Sequence, residues 1–211
     1  LALFLVLMST SKTSLVALLL GFGGLLFVAL GRRNAATGVG MVWLAVLAVA
    51  MLGGFMLFAA DLFFEILGKD ATLTGRTKIW DAALRQIEKR PWTGYGYGVV
   101  WDVKGPWGPL AWIEKEAAFT PIHAHSAWFE QWIGMGLPGL VTFALMYLQA
   151  LVLAALNIFR HRGAYLAVPF LIVYSLMSLT ESVAVTYHDF RWVLFTAIAV
   201  KLAYPGRDRE A

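Results

Sequence analysis

Long apolar runs separated by short polar breaks occupy most of the chain, and one long stretch departs from that alternation. Leu1–Met8 is apolar and stops at Ser9-Thr10-Ser11-Lys12-Thr13-Ser14. Leu15–Leu30 ends at Arg32-Arg33, and Val39–Ala60 closes at Asp61. Leu140–Phe159 runs into Arg160-His161-Arg162, Ala164–Thr180 follows, and Trp192–Tyr204 is stopped by Pro205-Gly206. A helix crossing a hydrocarbon core of about 30 Å needs roughly 20 residues. The runs therefore predict an all-α fold, a polytopic transmembrane helical bundle in which Lys201 snorkels to the interface. Span interiors are almost uncharged, with Gln149 the clearest polar exception. The first run opens at Leu1 inside an apolar segment, so residues 1–211 read as a single membrane domain from the C-terminal part of a longer protein.

Composition agrees with the pattern. Apolar residues make up 60% and charged residues 14% of the chain, against roughly 25% charged in a soluble domain, and mean hydropathy is +0.70. This argues against a soluble globular protein and excludes a disordered tail. The absence of cysteine removes disulfide frameworks, iron–sulfur clusters and thiolate zinc sites. The net charge of +4 matters less than its placement. Arg32, Arg33, Arg160, Arg162, Arg207 and Arg209 share one side of alternating spans, which is cytoplasmic by the positive-inside rule. The Lys12 turn, residues 61–135 and the turn 181–191 then face the periplasm of a bacterium. Basic residues inside the long segment do not oppose this, because long loops translocate regardless of charge. No internal repeat is visible.

Residues 61–135 are too polar to span and predict a periplasmic loop with amphipathic helices. Ile79, Trp80, Ala83, Leu84 and Ile87 fall on one helical stripe, with Lys78, Asp81, Arg85, Glu88 and Lys89 opposite and Arg90-Pro91 as the end. Such a helix suits the membrane interface, its apolar face toward lipid or protein, with Asp81 and Arg85 as an i,i+4 pair. Arg76 in its first turn opposes the helix dipole unless an anion is present, and free N–H groups beside a guanidinium fork suit phosphate. A lipid-headgroup contact or a surface ion pair accounts for it equally simply.

Trp92-Thr93-Gly94-Tyr95-Gly96-Tyr97-Gly98 alternates glycine with aromatics that either stack on sugar rings or form an interfacial belt. Pro121-Ile122-His123-Ala124-His125-Ser126 opens a second striped helix, interrupted at Gly134-Met135-Gly136-Leu137-Pro138-Gly139. A histidine near a helix start is held neutral by the dipole, the state a general base needs, so His125 is the candidate base, with a purely structural interfacial role as the alternative. His123 and His125 with Glu114 or Glu116 form a second alternative, a metal site, although the spacing is not a known ligand pattern. Glu130 either orients a histidine or pairs with a lysine. Glu181, Tyr187, His188, Asp189 and Arg191 read as solvated anchors at span ends.

Taken together, Arg76-x-x-x-Trp80, Pro91-x-x-Gly94-x-Gly96, His125-Ser126, Glu130 and Gly134-x-Gly136-x-x-Gly139 resemble the signature region of the O-antigen ligase and polymerase superfamily. Ser9-x-Ser11-Lys12 is similar to its basic turn, and Lys12-Thr13 resembles the exopolysaccharide polymerase branch. That resemblance implies a metal-independent, inverting glycosyltransferase of the bacterial inner membrane. Its donor is a glycan on undecaprenyl diphosphate, and its acceptor is a sugar hydroxyl on another glycan or on lipid A core. By motif position Arg76 and Lys12 would bind the diphosphate and His125 would activate the hydroxyl. Trp80, Tyr95, Tyr97, His123 and Glu130 complete the expected substrate-binding set. Membrane lipids and polysaccharide export or assembly proteins are the implied partners; no cofactor, metal or nucleic acid is implied. A transporter or channel of the cell envelope, or a non-catalytic assembly partner, is the competing reading.

Overall fold

The computed structural model describes residues 8, 12–34, 36–45, 47, 75–102, 105, 107–158, 163–186 and 188–204, with Lys12, Thr13 and Ala164 described in backbone only. Most of the Val39–Ala60 run, residues 61–74, Tyr187 and Arg160, Arg162, Arg207 and Arg209 lie outside them. The described residues are helical, with no strand: α1 Lys12–Gly31, α2 Ala36–Ala45, α3 Arg76–Lys89, α4 Val99–Asp102, α5 Pro109–Ala117, α6 Ala127–Asn157, α7 Ala164–Thr180 and α8 Phe190–Ala203. Ser14–Gly31 and Ala127–Asn157 are long and apolar enough to cross a membrane. Helix α1 begins at Lys12, so Lys12, Thr13 and Ser14 belong to its first turn rather than to a preceding loop.

Helices α1 and α7 pack antiparallel along their length. Gly24 lies so close to α7 that a Cβ there would sit 2.8 Å from Pro169 Cα, and a Cβ on Gly21 would meet Val173 at 3.4 Å. Small residues at such crossings let apolar helices approach where hydrophobic exclusion of water contributes little. At one end Arg32 stacks over Tyr165 at 5.5 Å and donates to Ile158 O at 3.1 Å, tying α1 to α6 and α7. The same register sets the start of α1, with Lys12, level with the end of α7 and Glu181. Beneath that end, Phe143, Leu171, Tyr174 and Phe195 form a buried cluster joining α6, α7 and α8, with Tyr174 and Phe195 stacked at 4.5 Å.

A second, smaller core supports the polar region. Ile79 and Ile87 of α3, Ile113 of α5 and Ile133 of α6 are each at most 3% exposed and pack with Ala82, Ala83, Val100 and Ala117. Each isoleucine contributes roughly 1.5–3 kcal/mol by leaving water. The apolar face of α3 therefore meets protein rather than lipid. The expected Asp81–Arg85 pair does not form. Arg85 instead reaches Glu116 across to α5 at 2.7 Å, because the two helices lie side by side.

Helix α6 is broken at Gly136, which sits at φ 67, ψ −166. The glycine–aromatic turn plugs into the break: Tyr95 N donates to Ile133 O at 3.0 Å, Gly96 N to Gly134 O at 2.8 Å and Leu137 N to Pro91 O at 2.7 Å. Both glycines are required by this fit. A Cβ on Gly94 would come within 2.5 Å of Gly134 O, and one on Gly136 would overlap the Trp92 carbonyl oxygen. Pro138 falls in the first turn after the break, where a missing N–H leaves no helical bond unmade.

Candidate functional site

The start of α6, the start of α3 and the end of α7 converge on one polar cluster. Arg76 Nη2 donates to Glu181 Oε1 at 3.3 Å. The other carboxylate oxygen of Glu181 lies 3.7 Å from His125 Nδ1. One acidic side chain thus bridges a guanidinium and an imidazole that are remote in sequence. Arg76, Glu181 and His125 side chains are 23%, 30% and 31% exposed, sheltered but open on one side.

The His123–His125 segment is held from both faces. Trp80 Nε1 donates to Ala124 O at 2.8 Å, while Ala124 N donates to Glu130 Oε1 at 2.6 Å. Trp80 in turn stacks on Phe129 at 5.5 Å. Clamped in this way, His125 adopts φ 53, a left-handed conformation costing a residue with Cβ roughly 1–2 kcal/mol. Strain of this kind concentrates at functional positions. The two imidazoles meet edge to face with centroids 3.9 Å apart, and His125 N donates to His123 Nδ1 at 3.2 Å.

Burial holds the His125 imidazole below the ordinary histidine range, and the neighbouring His123 and Arg76 push in the same direction, while the Glu181 carboxylate opposes them. Neutral at neutral pH, such an imidazole can accept a proton.

Glu130 does not pair with a lysine. Besides Ala124 N, it accepts from Ser182 Oγ at 2.9 Å and, through Oε2, from Trp101 Nε1 at 2.7 Å. It therefore fastens α4, the histidine segment and the 181–186 turn to α6. Beside it lies a cavity of about 230 Å³ bordered by Tyr97, Trp101, His123, Glu130, Gln131 and Ser182. Tyr97 stands at its rim and donates its hydroxyl to Val185 O. Tyr95 points elsewhere: its hydroxyl donates to Gln86 O at 3.2 Å and Arg90 covers its ring at 5.0 Å.

The structure thus gathers Arg76, Trp80, His123, His125 and Glu130 around one point and puts Tyr97 nearby, while Tyr95 is packed against α3. Lys12 is placed by its backbone at the matching end of α1. The glutamates of the metal alternative are engaged otherwise, Glu114 accepting from Thr120 Oγ1 at 2.5 Å and Glu116 pairing with Arg85. Among the described residues no three His, Cys, Asp or Glu side chains gather as a metal-ligand group. The residue that sequence reasoning missed is Glu181, read as a span-end anchor. Its only sequence signal is its position just after an apolar run, which many solvated charges share.

A helical chain with two candidate membrane-crossing helices carries a sheltered Arg–Glu–His cluster at one end of its packed helices, the architecture of a helical membrane-type protein. Residues 1–144 match the O-antigen ligase family, and the chain belongs to it. It is also 29% identical to the exopolysaccharide production protein ExoQ of Rhizobium meliloti (strain 1021) over 71% of this chain. The chain spans 35% of that relative's length. No solved structure matches it.

Proposed function

We propose that the chain carries the catalytic face of a membrane glycosyltransferase that transfers or polymerises an undecaprenyl-diphosphate-linked glycan onto a sugar hydroxyl. The observation that carries the reading is the convergence of Arg76, Glu181 and His125 from separate helices at one end of the packed bundle. Family membership and the ExoQ relative support a polysaccharide ligase or polymerase role.

The site is read as facing the periplasm of a multi-pass protein of the bacterial inner membrane, with residues 61–135 as its catalytic loop. From Leu137 to Asn157 helix α6 rises about 1.5 Å per residue, enough to separate the cluster from the Arg32 end by about one hydrocarbon thickness. Arg32 and Arg33 then mark the cytoplasmic side.

In the proposed step the acceptor hydroxyl oxygen attacks the anomeric carbon of the donor sugar, opposite the diphosphate. The new glycosidic bond forms as the bond from the anomeric carbon to the phosphate oxygen breaks, which inverts the centre. The hydroxyl proton passes to His125, and the electron pair leaves with the diphosphate. Glu181 stabilises the imidazolium that results. Arg76 uses one N–H on Glu181, and its remaining fork meets the charge growing on the diphosphate. Diphosphate is already a good leaving group, so a fixed cation in a sheltered site supplies the main requirement without a metal. A donor of this kind is worth about 10²- to 10³-fold in rate, and a positioned base adds about 10²- to 10⁴-fold. Lys12 is proposed as a second diphosphate contact from the start of α1. Export or assembly proteins are proposed as partners.

The decisive experiment incubates the full-length protein in liposomes with a lipid-diphosphate glycan, with and without lipid A core, and resolves products on gels. New glycosidic bonds that disappear in His125→Ala support the proposal. Transport of the glycan with no new bond, or wild-type rates from His125→Ala, would refute it.

A further inference from the structure

The cavity beside the histidines holds a side chain that nothing in the reaction step uses. Gln131 is 2% exposed, lines the cavity, and its Oε1 is buried without a hydrogen-bond partner. Leaving such an acceptor unmet is unfavourable, and an apolar residue of the same length at this position of α6 would avoid the cost. Resting on the glycosyl-transfer reading, we propose that this cavity is the subsite for one sugar ring of the acceptor glycan, with the Gln131 side-chain oxygen accepting from one of its hydroxyls.

Its lining fits a neutral polyol better than a phosphate. No lysine or arginine borders it, and the Glu130 carboxylate does, which repels an anion. Glu130 is itself occupied by Ala124, Ser182 and Trp101, so Gln131 is left to read the ligand, with the aromatic Tyr97 and Trp101 in the wall. Stacking aromatics and neutral amide or hydroxyl groups are what a pyranose ring requires. At about 230 Å³ the cavity falls below the roughly 300–1,000 Å³ of sites for whole drug-sized ligands, which suits one ring rather than an oligosaccharide. Position assigns that ring to the acceptor. Neither His125 nor Arg76 borders the cavity, but His123 does and its ring touches that of His125, so a sugar seated there lies one imidazole away from the base, whereas Arg76 is joined to that imidazole through Glu181.

The test is saturation-transfer NMR on the full-length protein in nanodiscs. The probes are methyl β-glucoside, methyl β-galactoside and methyl α-mannoside, with inorganic phosphate displacement as a separate arm. The expected result is transfer to at least one glycoside, undisturbed by phosphate, reduced several-fold or more in Gln131→Met and retained in His125→Ala. Gln131→Met removes an unmet polar atom at nearly constant shape, so its thermal unfolding midpoint should equal or exceed that of the wild type. Should that variant lose its unfolding transition, Thr186→Trp, which fills the same cavity from the opposite loop, replaces it under the same criteria. Absence of transfer to every glycoside, displacement by phosphate, or a wild-type signal from the variant overturns the subsite. Polymerisation without glycoside binding would sink the subsite alone. Glycoside binding without any glycosidic bond formation would sink the transfer reading alone.

Discussion

Glu181 sets its Oε2 3.7 Å from Nδ1 of His125, an arrangement that, in the proposed transfer, would tune His125 as a base as well as orient it. Of the influences on that imidazole, Glu181 is the one that raises its proton affinity; burial, His123 and Arg76 lower it. Glu181→Gln should therefore carry the His125 pKa further below the ordinary histidine range. The acid limb of the rate profile should move to lower pH. The plateau rate should fall, by up to the roughly 10²- to 10⁴-fold that a positioned base supplies. Transfer assays from pH 4 to 8, the range about which histidine titrates, check both effects. An acid limb that rises or stays in place would separate Glu181 from the base.

Arg76 acts on the same imidazole with the opposite sign, which separates its two roles. Arg76→Lys keeps the charge but loses the planar fork, so transfer should slow by about 10²- to 10³-fold with the acid limb unmoved. Arg76→Met removes the charge as well. The His125 pKa should then rise, because Arg76 is among the groups that lower it, and the acid limb should move to higher pH. Full activity in Arg76→Lys would remove the phosphate clamp from the mechanism.

Periodicity made the helices legible, since apolar run length reports a span and a 3.6-residue stripe reports the amphipathic α3. Arg76 and His125 were legible as candidates because a cation and an imidazole are unusual at helix starts, and Glu130 through its place about one helical turn beyond Ser126. What periodicity could not carry is contact between distant segments. Glu181 joins the cluster only because α7 packs against α6, and Arg85 abandons Asp81 for Glu116 only because α5 lies beside α3. Tyr95 and Tyr97 alternate identically with glycine in sequence, yet one packs on α3 and the other reaches the cavity rim, a difference decided by the break at Gly136.

That break gives a stability prediction with an internal control. Gly94, Gly98 and Gly136 all have positive φ, at 62°, 70° and 67°, but only Gly98 has open space where a Cβ would go. Gly98→Ala should cost only the left-handed strain, roughly 1–2 kcal/mol. Gly94→Ala and Gly136→Ala should add overpacking of about 1–3 kcal/mol, because backbone stands in the way on both sides. Thermal unfolding in detergent ranks the variants, and Gly136→Ala should also lose transfer activity as the turn is pushed out of α6. Equal midpoints for Gly98→Ala and Gly136→Ala would contradict the interlock.

Glu130 makes the sharpest contrast between holding a site and reacting in it. Each of its contacts comes from a donor: Ala124 N and Ser182 Oγ on one oxygen and Trp101 Nε1 on the other. A carboxylate accepts them all. A glutamine cannot, because its amide nitrogen must face either the Ala124 N–H or the Trp101 indole N–H, and neither of those can accept. Glu130→Gln should therefore destabilise the fold by about 1–3 kcal/mol despite being nearly isosteric. It should also slow transfer by releasing the histidine segment from α6. Glu130 is not among the groups that shift the His125 pKa, so the acid limb should stay where it is, in contrast to Glu181→Gln. Measuring the unfolding midpoint and the pH profile on the same preparation separates the roles. A moved acid limb with unchanged stability would make Glu130 part of the proton chemistry rather than the fastening beneath it.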